Sequence, residues 1–91
     1  MIKYVYNFSA TWSPVSKLFD PIFKSISLMD EFKNFIFEFK NVDEDLDLVD
    51  KFKLKYIPTI VVADENNNLI NSFCGITCKN ELIDFLKEKN K

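Results

Sequence analysis

At 91 residues, 47% of them hydrophobic and ten of them Phe, the chain is long enough for one domain, 1–91, around a single core. One Gly and three Pro leave no room for a flexible linker or a low-complexity tail, and no internal repeat is present. The net charge is −2, and the twelve basic residues, all Lys, are scattered among acidic ones without a basic stripe, which argues against a nucleic-acid partner.

No apolar run approaches the roughly 20 residues that span a bilayer, so no membrane partner is expected. Met1-Ile2-Lys3 leads straight into a strand pattern, which argues against a signal peptide. Cys74 and Cys78 lie too close together to staple a fold. A reducing, cytoplasmic setting is the expectation.

Ile2 to Phe8 is rich in β-branched and aromatic residues and apolar on both faces, as in a buried strand of an α/β sheet. Asn7 is the polar exception and, once buried, must find hydrogen-bond partners. The next stretch, Ala10-Thr11-Trp12-Ser13-Pro14-Val15-Ser16-Lys17, turns from strand into helix. A helix start presents free backbone N–H groups and favours negative charge there. Pro14 sits just before the helix, where a missing N–H costs nothing. From about Lys17, Leu18, Phe19, Ile22, Phe23, Ile26 and Met29 recur at helical steps, and Pro21 is expected to kink the helix after its first turn.

Asp30 to Asn34 ends the helix, and Phe35 to Val42 reads as the second strand. Asp43-Glu44-Asp45-Leu46-Asp47 reads as a solvated loop and helix start, with a short helix from about Leu46 to Phe52. The order strand, helix, strand, helix implies parallel neighbours joined by right-handed crossovers. Ile57-Pro58-Thr59 opens a third strand, Thr59 to Ala63, since proline is tolerated at a strand's first residue. Asp64 to Asn68 reads as a hairpin turn, because Asn and Asp accept the positive φ that tight turns need. Leu69 to Cys74 returns antiparallel, and a last helix runs from about Lys79 to Lys89 behind a cap at Thr77 or Cys78.

By itself a Ser-x-x-Ser spacing carries no information, since a serine at a helix start is an ordinary N-cap. Its company is specific: Trp12 before it, Pro21 five residues after Ser16, Ile57-Pro58-Thr59, and Gly75 beyond. The segment Asn7 to Lys17 resembles the active-site segment of thioredoxins with both cysteines replaced by serine, and the resemblance covers essentially the whole chain. It implies an α/β thioredoxin fold, a four-stranded mixed sheet flanked by helices, in a minimal form without the extra N-terminal strand and helix of longer members. It also implies a cis peptide bond between Ile57 and Pro58, which would bring the Ile57 backbone beside Ser13 to pair with an extended substrate.

What the resemblance implies for chemistry is thiol–disulfide exchange. A thiolate at position 13 attacks a disulfide, and the thiol at position 16 then displaces the reduced substrate. Only the group at position 13 would be exposed to partners. Trp12 would flank and shield it, Lys17 would favour a thiolate, and Pro14, Ile57, Pro58 and Gly75 would line the substrate groove. In the family the position of Asn7 is an Asp that handles the second cysteine's proton, a role an amide cannot fill. Protein disulfides are the implied substrates, a thioredoxin reductase or a glutathione-type reductant the implied partner, and a monomer the implied state. No cofactor is needed.

Serine can neither attack nor form a disulfide, so this chain is expected to be inactive, a mimic of the reduced state. The double replacement suits a deliberate change to an active parent. The alternatives are a glutaredoxin-like, glutathione-linked reductase and a natural redox-dead peptide-binding module. Trp12 and the lack of a Gly-Gly pair after the last strand argue against the glutaredoxin-like reading. With no His, Ser–His catalysis is excluded, and two Cys without His make a zinc site improbable. Cys74 reads as a buried strand cysteine or as part of the rim of the redox site. Cys78, near a helix start, could have a lowered pKa.

Overall fold

The structure, a computed structural model, describes residues 1–74 and 79–89. Strand β1 (Ile2–Ser9) is followed by α1 (Pro14–Ser27), a 3-10 turn (Asp30–Phe32) and β2 (Ile36–Asn41). Helix α2 (Leu46–Lys51), the hairpin β3 (Thr59–Asp64) and β4 (Leu69–Cys74), and α3 (Lys79–Lys89) complete the described chain. The four strands form one mixed sheet in the order β2-β1-β3-β4, flanked by three helices, which is a thioredoxin fold.

β1 lies parallel to β2 and antiparallel to β3. The expected parallel crossover therefore holds for the connection through α1. The connection through α2 instead returns the chain antiparallel, because β3 lies on the other side of β1 and runs directly into the β3–β4 hairpin. The hairpin turn carries the positive φ expected of its Asn residues, with Asn67 at 62°. Asp64 ties that turn: its Oδ1 accepts the backbone N–H groups of Asn66 and Asn68, each at 2.9 Å.

Strand alternation gives the sheet two different faces. On one, Val5, Ile60 and Val62 pack against Phe19, Phe23 and Ile26 of α1 and Leu82 and Leu86 of α3, with Phe32 closing the end. On the other, Tyr6, Phe8, Val61 and Ala63 gather around Phe52, with Leu48, Val49 and Leu54 packed against them. Burying a side chain of this size stabilises the fold by about 1.5–3 kcal/mol, so the first face, with two helices over it, carries more of the core.

Two details of α1 differ from the sequence reading, its first residue and the exposure of Leu18, while Pro21 lies inside the helix as expected. The helix starts at Pro14 rather than near Lys17, so Pro14 is its first residue and Ser13 its cap. Pro21 lies within the helix, which runs on to Ser27; the proline removes one backbone donor without ending it. Leu18 does not join the apolar face and is exposed. It is flanked by Lys17 and lies beside rather than on the Phe19–Phe23–Ile26 stripe that meets the sheet.

Candidate functional site

The site lies where β1 gives way to α1. Ala10, Thr11 and Trp12 make the turn, with the Ser13 N–H donating to the Ala10 carbonyl at 3.1 Å. Ser13 has an extended backbone (φ −98°, ψ 114°) and caps α1: its Oγ accepts the Ser16 N–H at 3.3 Å. The two serines of the motif are thus joined directly, through a backbone N–H of the helix's first turn. Any atom at the Ser13 Oγ position faces that N–H and the positive end of a 14-residue helix.

The expectation that the group at position 13 is open to partners is corrected. Ser13 is only 6% exposed and Ser16 is fully buried. Ser13's sequence neighbours Trp12, Pro14 and Val15 are exposed.

Asn7 answers its own burial. It shares the Val5 side of β1 and so points beneath α1, where its Nδ2 donates to Asp20 Oδ1 at 2.8 Å. Asp20 lies one helical turn beyond Ser16, on the same side of α1. Asn7 Oδ1 and Ser16 Oγ have no hydrogen-bond partner among the described residues. Beneath and within α1 the buried polar side chains are thus Asn7 and Ser16, with one carboxylate, Asp20, bonded to Asn7. The two neutral side chains can neither take up nor release a proton near neutral pH.

On the outer side, Trp12 is 65% exposed, and its indole Nε1–H donates to Asp43 Oδ2 at 2.9 Å. Asp43 is positioned in turn: its N–H donates to Asn41 Oδ1 at 2.9 Å, just past the end of β2. The ring of Trp12 forms one wall of a cleft of about 270 Å³, shared with Val42, Val49, Leu54, Lys55, Tyr56 and Ile57. The peptide bond between Ile57 and Pro58 is cis, as the resemblance implies. Pro58 is buried and Ile57 half-buried, so the turn before β3 contributes Ile57 to the cleft while Pro58 anchors it. Lys17 is exposed on α1.

Gly75 and Cys78 lie outside the described residues, as does the expected cap of α3. Cys74 is exposed at the end of β4, which corrects the reading of it as a buried strand residue. Its Sγ lies 3.8 Å from Thr59 Oγ1, and Thr59 Oγ1 donates to the Tyr56 carbonyl just before the cis turn. Cys74 lines a second hollow, of about 190 Å³, with Lys53, Lys55 and Tyr56, next to the cleft that holds Trp12.

Two residues escaped the sequence reading. Asp43 reads in the sequence as part of a solvated acidic loop, yet its carboxylate accepts the Trp12 indole N–H. Asp20 carries no role in the sequence reading, yet it is the partner Asn7 requires. Asp20 left a faint signal, since it stands four residues after Ser16 on one helix face; Asp43 left none.

A family model described as Thioredoxin matches residues 2–88. Among solved structures, the thioredoxin of Malassezia sympodialis superposes with a TM-score of 0.83 at 22% identity, covering 97% of this chain and 75% of that one. The Nicotiana alata thioredoxin gives 0.80 at 24% identity, with 93% and 70% covered. The reduced Schistosoma mansoni thioredoxin pre-protein gives 0.78 at 26% identity, with 93% and 76% covered. No curated protein sequence matches the chain.

Proposed function

Since this chain belongs to the thioredoxin family, we propose that its site is a thiol–disulfide exchange site in a redox-silent Ser/Ser form that holds the shape of the reduced state. The observation that carries this reading is the cap of α1, where Ser13 Oγ accepts the Ser16 N–H at 3.3 Å. A sulfur at position 13 would meet the same N–H and the same helix end, which lower a thiol's pKa and favour the attacking thiolate.

In the dithiol form, the thiolate at position 13 attacks a substrate disulfide, forming one S–S bond and releasing one substrate thiolate. The thiolate at position 16 then attacks the sulfur at position 13. The second substrate thiolate leaves, and two electrons have passed to the substrate. Protein disulfides are the substrates and a reductase is the regenerating partner, in a reducing, cytoplasmic setting. The backbone of Ile57 pairs with the extended substrate, and Trp12, Pro14 and Pro58 bound the groove. In the Ser/Ser chain neither S–S bond can form, and what persists is binding.

The test restores the pair. Ser13→Cys, Ser16→Cys protein is titrated against a dithiol buffer and assayed for reduction of a protein disulfide. A reversible two-electron couple with turnover is expected, against none for the Ser/Ser chain. A pair that forms no disulfide, or forms one without turnover, overturns the reading.

A second reading, a natural redox-dead peptide-binding module, is favoured by Asn7. The amide at this third departure from the family's pattern has its own partner in Asp20, at 2.8 Å. Codons 7, 13 and 16 of the native gene separate the two: serines in the gene support the module, cysteines an altered active parent.

A further inference from the structure

The sheet has two outer strands, and they are built differently. Along β4 the pairing with β3 shifts register between Val62 and Ala63, which bends that edge. Along β2 the pairing with β1 runs unbroken from Tyr4↔Ile36 to Ser9↔Asn41, which leaves a straight edge. Straight, unprotected edges are templates for further strands.

The direction of the free groups follows from one bond. Val42 N–H donates inward to the Ser9 carbonyl at 3.0 Å, so by strand alternation Lys40, Glu38 and Ile36 also bond to β1. Phe37, Phe39 and Asn41 turn their backbone groups outward. Among these, the Asn41 carbonyl is already taken by the N–H groups of Glu44 and Asp45, at 3.0 and 2.9 Å.

We propose that this edge pairs with the β2 edge of a second copy of the chain, antiparallel about a twofold axis through Phe39. In that register Phe39 faces the partner's Phe39, and each donates its N–H to the other's carbonyl. Each Asn41 N–H donates to the Phe37 carbonyl opposite, completing four ladder bonds. Glu38 then stands directly opposite Lys40 of the other copy, twice over, in the close non-hydrogen-bonded positions where cross-strand charges interact.

Charge selects this register. Within one chain Glu38 and Lys40 lie on the same face, 3.9 Å apart. Moving the axis to residue 38 or 40 would set Glu38 against Glu38, or Lys40 against Lys40. Only the axis at Phe39 makes the edge complementary to itself, as a twofold contact must be. It also covers Ile36 and Phe39, which are 40% and 51% exposed. The result is a continuous eight-stranded sheet, in place of the monomer that the resemblance implies.

Charge reversal tests it, on the whole chain with a reductant present so that Cys74 cannot link two copies. Sedimentation of the unaltered chain, up to millimolar concentration, is expected to show a reversible dimer. Glu38→Lys and Lys40→Glu each turn both attractive pairs into repulsions and are expected to raise the dissociation constant about tenfold or more, with unchanged circular dichroism. An equimolar mixture of the two variants, and the double swap in one chain, are expected to dimerise again. A chain that stays monomeric throughout overturns the proposal and leaves the edge to a strand of a different protein. Single variants that associate as well as the unaltered chain overturn it too, by placing the contact elsewhere.

Discussion

The two faces of β1 are made from alternate residues of one strand, yet they do different work. Beneath α1 and α3 lie Val5 and Asn7, in a thick layer that also buries Ser16. Beneath α2 lie Tyr6 and Phe8, in a thinner layer: α2 has six residues and none of them is buried. The thick layer holds the motif still, because Ser13 and Ser16 ride on a helix locked down by Phe19 and Phe23. The thin layer leaves apolar surface within reach of partners, as the cleft shared by Trp12, Tyr56 and Ile57 shows. A strand that separates rigidity from access in this way lets one short helix start be both well positioned and approachable.

The largest test of this contrast is a pair of truncations. Phe23→Ala, at a fully buried position of the thick layer, is expected to cost about 3–5 kcal/mol in chemical denaturation. Phe52→Ala, at 9% exposure under α2, is expected to fall at or below the low end of that range, because a thin layer can settle into the cavity. Equal losses would mean that the two layers are equally rigid.

Next in size is the bond between Asn7 and Asp20. Asp20→Ala leaves the Asn7 amide donor buried without a partner and is expected to cost about 1–3 kcal/mol. Asp20→Asn keeps a carbonyl to accept that bond and is expected to lose clearly less. If the two variants lose the same, the bond carries no stability.

A smaller effect is expected at the cap. Ser13→Ala removes the acceptor for the Ser16 N–H. The loss is expected near the low end of the roughly 0.5–2 kcal/mol range for caps, since the bond is long at 3.3 Å. Ser13→Asp supplies a stronger acceptor and a charge that suits the helix end, and is expected to recover the loss at neutral pH.

The smallest effect is read by pH on the thin face. Burial, and then the charge of Glu38, push the Tyr6 phenol above its ordinary value near 10.0. The sign follows: folding favours neutral Tyr6, so its contribution is complete below the unfolded value and is lost as pH rises through the folded one. Stability is expected to fall above about pH 10, and Tyr6→Phe is expected to flatten that fall. A fall of the same steepness in Tyr6→Phe would assign it to other groups. The variant also loses the bond from the Tyr6 hydroxyl to Asn67 Oδ1, so its baseline stability is compared separately.

Much of this was legible in the sequence. The β-branched and aromatic run Ile2–Phe8, the spacing of Phe19, Phe23 and Ile26, the Asn-rich turn and the α3 boundaries follow from local periodicity and backbone preference. These act over a few residues and need no knowledge of the rest of the chain. The cis bond before Pro58 came from resemblance, since local preference alone favours trans.

What only the tertiary structure decided is which groups meet across distance. Asn7 finds Asp20, Trp12 finds Asp43, Leu18 and Cys74 stay exposed, and β3 joins β1 antiparallel. Each depends on how far one element slides and turns over another, which is set by the packing of the whole core. A hydrogen bond over 13 or 31 residues is the consequence of that packing, and no local pattern encodes it.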